Sequence, residues 1–272
     1  MKPIDTSLNI LPVSSVDDPR LRPYTALKDR QLAAEMGLFV CEGEHNVLRL
    51  LASGYETHSL LIAEHRVGEW ADVIPGGVPV YVAHNELLSG IVGFQFHMGV
   101  LACGVRPVGA SIDSLLSAGT LVVLPEVRIA ENLGLVIRAA HALGVDGLLL
   151  SDIGCDPFTR RVIRVSMGSV FGLPVVRSAG LAEDLGRLRE AHGFTLIAAV
   201  SDRDAVPVDR FVRPSSQGVA VLFGNEPEGL DDRWVGLCDQ KITIPMAPGV
   251  DSLNLAVSAG IVLHRLATPK AR

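Results

Sequence analysis

Cysteine is scarce in this chain. Cys41, Cys103, Cys155 and Cys238 lie far apart and form no CxxC pair, so neither a disulfide framework nor a zinc site has the clustered ligands it needs. The pattern predicts reduced, mostly buried thiols of a cytoplasmic protein and no metal site. Long apolar runs are missing as well: none approaches the roughly 18 residues that suggest a membrane-crossing helix. The opening MKPIDTSLNILPVSS lacks a basic start followed by a long apolar core, which argues against a signal peptide. Positive charge is in deficit, with 24 Lys and Arg against 30 Asp and Glu and a formal net charge of −6. That argues against holding nucleic acid by bulk positive charge, while leaving room for a few arginines that position phosphates. There is no GxGxxG turn and no Gly-Lys-Ser/Thr loop, the usual fingerprints of dinucleotide and P-loop sites. No internal repeat or low-complexity segment is visible.

What is present describes a packed protein. Of the 272 residues, 48% are hydrophobic and 20% charged, enough for one large or two modest domains with real cores. Residues 1 to 19, rich in Pro, Ser and Asp, read as an irregular lead. Residues 20 to 106 read as a small α/β unit. It has a helix at 25 to 36, a strand LFVC at 38 to 41, and an amphipathic helix at 43 to 54 ending on a glycine cap. Strands at 58 to 63, 78 to 83 and 97 to 104 follow, with a short helix near 85 to 90. Residues 107 to 118 form a linker and lead-in helix. From 119 to 272 strands and helices alternate, with strands at 120 to 124, 147 to 150, 174 to 176, 194 to 200, 219 to 223 and 241 to 244. Most are continuous apolar runs, which predicts a doubly wound parallel sheet covered on both faces. Such sheets bind ligands beyond the carboxyl ends of their strands.

Three segments have one design, a strand running into a polar loop and then a helix. The first is PEVRIAENLGLVIRAAHALGVDGLLLSD, residues 125 to 152. Apolar residues at 133, 136, 137, 140 and 143 make one helical face, and Asn132 suits the N-cap before it. Arg138 shares that helix between apolar neighbours. It reads either as a solvated or snorkelling arginine or as a functional group aimed into a site. The second segment is VAVLFGNEPEGL, residues 219 to 230. Gly224 permits a sharp turn after a strand, Pro227 suits a helix N1 position, and Glu226 and Glu228 suit a helix N-terminus. The third is IPMAPGVDSLNLAVSAG, residues 244 to 260. Ser252, Leu253 and Asn254 open a small-residue helix, with Ser and Asn as natural caps. Each segment alone is a capped connection. All three have their polar loops at the carboxyl ends of strands, so the loops should converge.

Together, over roughly residues 115 to 266, the three segments resemble the three motifs of the SpoU/TrmH family of RNA ribose 2′-O-methyltransferases, in the SPOUT superfamily. Between them, DPFTRRVIRVSMGSVFGLPVV resembles the family's Arg-x-Ser-x-Gly-x helix before a Pro-Val-Val strand. Arg164, Ser166 and Gly168 match, while Met167 and Ser169 stand where alanines are common. Upstream, Arg30 and CEGEHNV (41 to 47) resemble the Arg…Glu-Gly-Glu segment of the L30e-like domain that precedes many of these enzymes. FHMGVLA (96 to 102) resembles its closing strand, with Met98 in place of a common Gln.

The resemblance implies an α/β fold, a SPOUT parallel-sheet domain with a deep trefoil knot behind a small L30e-like α/β domain. It implies S-adenosylmethionine as cofactor, RNA as substrate, with ribosomal favoured over transfer RNA, and a homodimer with its active site near the interface. The nearly all-apolar helix at 252 to 266 is what a buried or interface helix requires. By resemblance the catalytic set is Asn132, Arg138, Glu226, Ser252 and Asn254. Arg138 is assigned to the target phosphate and to activation of the ribose hydroxyl. A guanidinium stays charged, so its safer role is electrostatic, and the general base is left open. Cofactor contacts fall on the backbone at Leu222, Phe223, Gly224, Ile244, Met246 and Leu253. RNA contacts are expected from Arg30 and from the basic stretch Arg160, Arg161 and Arg164, whose plain alternative is a solvated helix face. Other readings are a transfer-RNA 2′-O-methyltransferase, an inactive RNA-binding relative and a nucleotide-binding α/β enzyme such as a dehydrogenase. Retention of the five polar motif residues argues against the inactive relative, and the missing GxGxxG against the dehydrogenase.

Overall fold

A computed structural model of the chain describes residues 8–25, 29–92, 99–107, 111–215, 218–225 and 228–266. The elements begin with β1 (Asn9–Pro12), α1 (Asp29–Met36), β2 (Leu38–Glu42), α2 (Glu44–Leu51), β3 (Thr57–Ala63), α3 (Val67–Trp70), β4 (Pro79–Ala83), α4 (Asn85–Val92) and β5 (Val100–Val105). They continue with β6 (Thr120–Leu124), α5 (Ala130–Ala142), β7 (Gly147–Ser151), α6 (Arg160–Val165), β8 (Val175–Ser178), α7 (Leu181–His192) and β9 (Phe194–Ala199). The last are β10 (Val206–Pro207), β11 (Gly218–Phe223), α8 (Asp232–Val235), β12 (Gln240–Thr243) and α9 (Leu255–Leu266). They fall into two compact units. One comprises residues 1–108 with 158–171, the other 109–157 with 172–272.

The first unit has a five-stranded sheet in the order β1-β4-β3-β5-β2 among the described residues. β1, β4 and β3 run parallel, and β5 is antiparallel to both β3 and β2. β1 departs from the expected irregular lead. Its four residues NILP pair with β4 from Asn9↔Pro79 to Pro12↔Val82. The signal is weak because the strand is short and its partner is distant. Pro12 is tolerated because an edge strand leaves one row of backbone groups unpaired. α2 stops at Leu51, and Ala52 rather than Gly54 takes the capping position, its N–H bonding the carbonyls of Leu48 and Leu50. The unit's core is built on Leu21, Tyr24, Leu32, Leu61, Leu88 and Leu101.

Residues 158–171, a hundred residues downstream in sequence, belong to this same unit. Phe158 and Phe171 pack on Phe39 with ring centroids 5.3 and 5.6 Å apart, and on Tyr55 at 5.6 and 5.8 Å. Burial of three phenylalanine rings beside the half-buried Tyr55 is a large apolar term with specific geometry. Gly104 is required here, since a Cβ would run into the Phe39 ring. The aromatic cluster docks α6, which the sequence pattern placed with the downstream domain.

Among the described residues the second unit carries a seven-stranded sheet in the order β10-β12-β9-β11-β6-β7-β8, with every neighbouring pair parallel. β6, β7 and β11 are buried along their whole length. This matches their uninterrupted apolar runs, which have no solvent face to alternate toward. The order reverses about β6. The chain goes from β6 outward to β7 and β8, then returns on the other side through β9, and β11 inserts between β9 and β6. A crevice beyond the carboxyl ends of β6 and β11 therefore lies at a topological switch point. α9 packs against α5. Its last carbonyl, of Leu266, accepts from Arg213, which also donates to Thr120 Oγ1 at 3.0 Å and to the Gly119 carbonyl at 2.5 Å. The C-terminal end of α9 is thus tied to the start of β6.

Candidate active site at the carboxyl ends of the parallel strands

The loop after β6 is pinned from below. The buried Ser151 hydroxyl donates to the Pro125 carbonyl, the Cys155 N–H to the Val127 carbonyl at 2.7 Å, and the Cys155 thiol to the Arg128 carbonyl at 2.9 Å. Gly154, at φ +110°, presses so closely on Val127 that a Cβ would collide with its backbone. Burial, and then the carboxylates of Glu131 and Asp156, raise the Cys155 pKa. The group is therefore a thiol that donates, not a thiolate nucleophile.

This loop delivers α5. Ile129 takes the N-cap position and Asn132 is the third helical residue, so the expected capping role of Asn132 is corrected. Its side chain points inward and is 6% exposed. An amide buried in a helix needs a partner, and motif 3 provides one. Asn254 Nδ2 donates to Asn132 Oδ1 at 3.0 Å, joining residues 122 apart in sequence. Asn254 Oδ1 accepts from the N–H groups of Ala256 at 2.9 Å and Val257 at 3.4 Å. Asn254 is therefore an N-cap of α9 and a bridge between motifs at once, and α9 opens at Leu255 rather than at Ser252. Ser252 is exposed in the irregular segment before the helix, and Ile244, Met246 and Leu253 are half-buried there.

Motif 2 folds back on itself. Gly224 follows β11 and packs so tightly on Gly229 and Leu230 that no Cβ would fit. Asn225 and Gly229 exchange backbone hydrogen bonds of 3.0 and 2.7 Å, and Gly229 sits at φ +74°, a conformation that favours glycine. Glu226 and Pro227 lie outside the described residues, so their predicted roles are not placed here. The helix that follows starts at Asp232, capped by Asp231. Leu222 and Phe223 bury their side chains in the core at 0% and 2% exposure, leaving only main-chain groups to meet a ligand. A cleft of about 320 Å³ opens at the switch point, lined by Pro125, Glu126, Phe223, Gly224, Asn225 and residues 228–234. It includes two of the six predicted cofactor residues, Phe223 and Gly224, but none of Ile244, Met246 and Leu253.

Arg138 stands apart from the asparagine pair. Six residues along an α-helix correspond to a turn of about 240°, so its side chain leaves α5 about a third of a turn away from Asn132. It is exposed, and no hydrogen bond or ion pair engages it among the described residues. Leu135, one turn earlier, is 41% exposed, and Val257 and Ile261 of α9 are 51% and 39% exposed. The two packed helices thus leave apolar side chains uncovered.

The predicted RNA contacts divide. Arg30 is exposed on α1 with no partner among the described residues, and Arg161 is exposed on α6. Arg160 pairs with Asp29 at 3.0 Å and Arg164 with Glu42 at 2.9 Å. Sequence reasoning passed over Asp29, and it singled out Glu42 only as part of the CEGEHNV segment and not as a partner for Arg164. It also passed over Asn225, whose only signal was an amide placed between a turn glycine and a glutamate directly beyond a buried strand.

A family model described as the SpoU rRNA Methylase family matches residues 119–264. The chain is 33% identical to an uncharacterized tRNA/rRNA methyltransferase of Mycobacterium tuberculosis, over 94% of this chain and 91% of that protein. It is 26% identical to the 23S rRNA (guanosine(2553)-2′-O)-methyltransferase of Bacillus subtilis, over 93% and 98%. Among solved structures it is similar to an AdoMet-bound rRNA methyltransferase from Sinorhizobium meliloti. The TM-score is 0.81, with 29% identity over 94% of this chain and 97% of that one.

Proposed function

The chain belongs to the SpoU rRNA methylase family, and from that membership we propose that it is an S-adenosylmethionine-dependent enzyme that methylates a ribose 2′-OH in ribosomal RNA. The observation that carries the site assignment is the hydrogen bond from Asn254 to Asn132, which brings motifs 1 and 3 together. Names of relatives that act on 23S rRNA support the substrate class. The AdoMet-bound neighbour supports the cofactor.

The residues present fit that cofactor. Gly224, which packs on Gly229 and Leu230, offers no side chain at the mouth of β11, and loop main-chain groups can read the edge of a flat, apolar adenine. Leu222, Phe223, Gly224, Ile244, Met246 and Leu253 would hold it through their backbone. When bound, S-adenosylmethionine supplies an electrophilic methyl group on its sulfonium, so the protein's part is orientation and exclusion of water. The Asn132–Asn254 pair fixes the start of α9 and with it Ser252 and Asn254, which face the reacting nucleotide in this reading. Arg138 clamps the target phosphate, holds the hydroxyl in line and stabilises alkoxide charge as it develops. Alignment of this kind removes at best roughly 7–11 kcal/mol of barrier. Glu226 keeps the carboxylate role that the resemblance gives it.

The finer features follow the same reading. We read the second unit as a SPOUT domain with a deep trefoil knot, as the family resemblance implies. The first unit is L30e-like and docks structured RNA, with Arg30 as its leading contact and Arg161 as a second. The ion pairs of Arg160 and Arg164 favour a structural role for those two. The enzyme works as a cytoplasmic homodimer. Exposed Leu135, Val257 and Ile261 on the packed pair α5 and α9 are the kind of apolar surface a second copy covers, and Arg138 shares that face of α5.

The test supplies methyl-labelled S-adenosylmethionine with rRNA and tRNA in turn, then maps 2′-O-methyl positions. Label at one ribose of rRNA is the expected result. Label in tRNA alone would move the enzyme to the transfer-RNA class, and cofactor binding without transfer to any RNA would make it an inactive relative.

A further inference from the structure

We propose that Cys155 is a positioning residue for methyl transfer. Its thiol holds the last carbonyl of the loop before α5 and so sets where that helix presents Asn132 and Arg138. The inference rests on the methyltransferase reading and deepens it.

α5 carries both motif 1 side chains, yet no side-chain cap fixes its start. Ile129 takes the N-cap position and makes no capping hydrogen bond to the first turn. Such a start lacks the side-chain acceptor that usually satisfies a free N–H group there. The turn at 151–155, beyond the end of β7, supplies a hold from outside. β7 is the parallel neighbour of β6, and past the ends of the two strands Val127 and Gly154 still pair as an isolated bridge. Three carbonyls in the stretch 125–128 are taken by this turn: Pro125 accepts from the Ser151 hydroxyl, Val127 from the Cys155 N–H at 2.7 Å and Arg128 from the Cys155 thiol at 2.9 Å. Ser151 is itself fixed, its Oγ accepting from the Ile153 N–H at 3.1 Å.

The two side chains divide the loop between them. Ser151 holds Pro125, which lines the cleft with Glu126. Cys155 holds Arg128, two residues before α5 begins at Ala130. Loss of the thiol therefore acts on the helix start and leaves the cleft side of the loop in place. The helix start has little tolerance for movement. Asn132 Oδ1 accepts from Asn254 at 3.0 Å, and a hydrogen bond weakens as it lengthens or bends. The thiol is in the form that donates, since burial and the carboxylates of Glu131 and Asp156 oppose its ionisation.

The test uses the full chain with Cys155→Ala, which removes the donor, and Cys155→Ser, which keeps one. Methyl transfer to rRNA is measured well below the melting temperatures, and amide deuterium exchange in the first turn of α5 is followed without ligand. Cys155→Ala should lower kcat about ten-fold, the scale of a sub-ångström misplacement. Its KM for S-adenosylmethionine should stay within about two-fold of the unaltered protein's, because only the chemical step loses alignment. Exchange in the first turn of α5 should quicken about ten-fold through easier local opening. Cys155→Ser should return most of both losses. A lowered melting temperature with unchanged kcat would make the thiol a brace for stability alone and overturn the proposal. So would a Cys155→Ser variant as slow as Cys155→Ala, which would make the bulk of the sulfur the cause. A rise confined to KM for S-adenosylmethionine would move the effect to the cleft and overturn it too. If the unaltered protein methylated no RNA, the methyltransferase reading itself would fail, whereas unchanged exchange in Cys155→Ala would sink this inference alone.

Discussion

Helices α5 and α6 both carry arginines beside apolar neighbours, and the structure treats them differently. On α6, Arg160 and Arg164 reach Asp29 and Glu42, carboxylates 131 and 122 residues away in sequence, while Phe158 and Phe171 anchor the segment among aromatic rings. On α5, Arg138 is exposed and meets no partner among the described residues. An arginine already paired with a carboxylate has part of its charge and some of its five donors committed before it meets a phosphate. One facing solvent is available at once. Local basic density, the feature that drew attention to α6, does not show which arginines the fold pairs with carboxylates.

The contrast can be broken from the α6 side first. Phe158→Ala removes a ring that is 5% exposed and should cost about 3–4 kcal/mol in chemical denaturation, as large-to-small aromatic changes in cores do. A loss under about 1 kcal/mol would mean that the partly exposed ion pairs, not the aromatic cluster, hold the segment. On α5, Arg138→Ala should slow methyl transfer by roughly 100-fold to 1,000-fold, the scale of losing one charge-stabilising group. Stability should move by no more than about 0.5 kcal/mol, as expected for an exposed, unpaired side chain, and calorimetric affinity for S-adenosylmethionine should not change. Weakened cofactor binding in a folded variant would reassign the residue.

Smaller effects sharpen the same contrast. Arg164→Ala leaves the Glu42 carboxylate, 13% exposed, without its cation and should cost about 1 kcal/mol. Glu42→Gln should cost a similar amount, and the double variant less than the sum if the pair is coupled. Reduced RNA affinity at unchanged stability would return Arg164 to the RNA surface. Smallest is Arg30→Ala, which should lower the log–log salt slope of RNA binding by about 0.7–0.9, one phosphate contact. An unchanged slope would remove Arg30 from the docking surface.

Much of the second unit was legible in the amino-acid order. The strands expected at 120–124, 147–150 and 219–223 are largely apolar runs, and a run buried on both faces needs no information from elsewhere to be recognised. The polar loops beyond them were legible too, because turn glycines and capping amides are local signals. Asn132 was read as a helix cap because an amide before an apolar face suits that place. Its position inside α5 depends on Ile129 starting the helix and on Asn254 arriving from 122 residues away to satisfy the side chain. β1 was missed for a similar reason, since four residues become a strand only when β4 offers them an edge.

The sequence by itself determined the alternation of strands and helices, the apolar runs of a parallel sheet and the three strand-loop-helix segments, whose family resemblance points to ribose methylation. The segments themselves follow from interactions within a few residues, where periodicity, capping and backbone freedom act. Only the tertiary structure decided which polar groups meet. It paired Asn254 with Asn132, took Arg160 and Arg164 into ion pairs, left Arg138 exposed, and brought the Cys155 thiol to the Arg128 carbonyl. The reason is physical. A buried polar group is settled by whichever partner the packed chain brings within hydrogen-bond distance, and that partner can lie more than a hundred residues away.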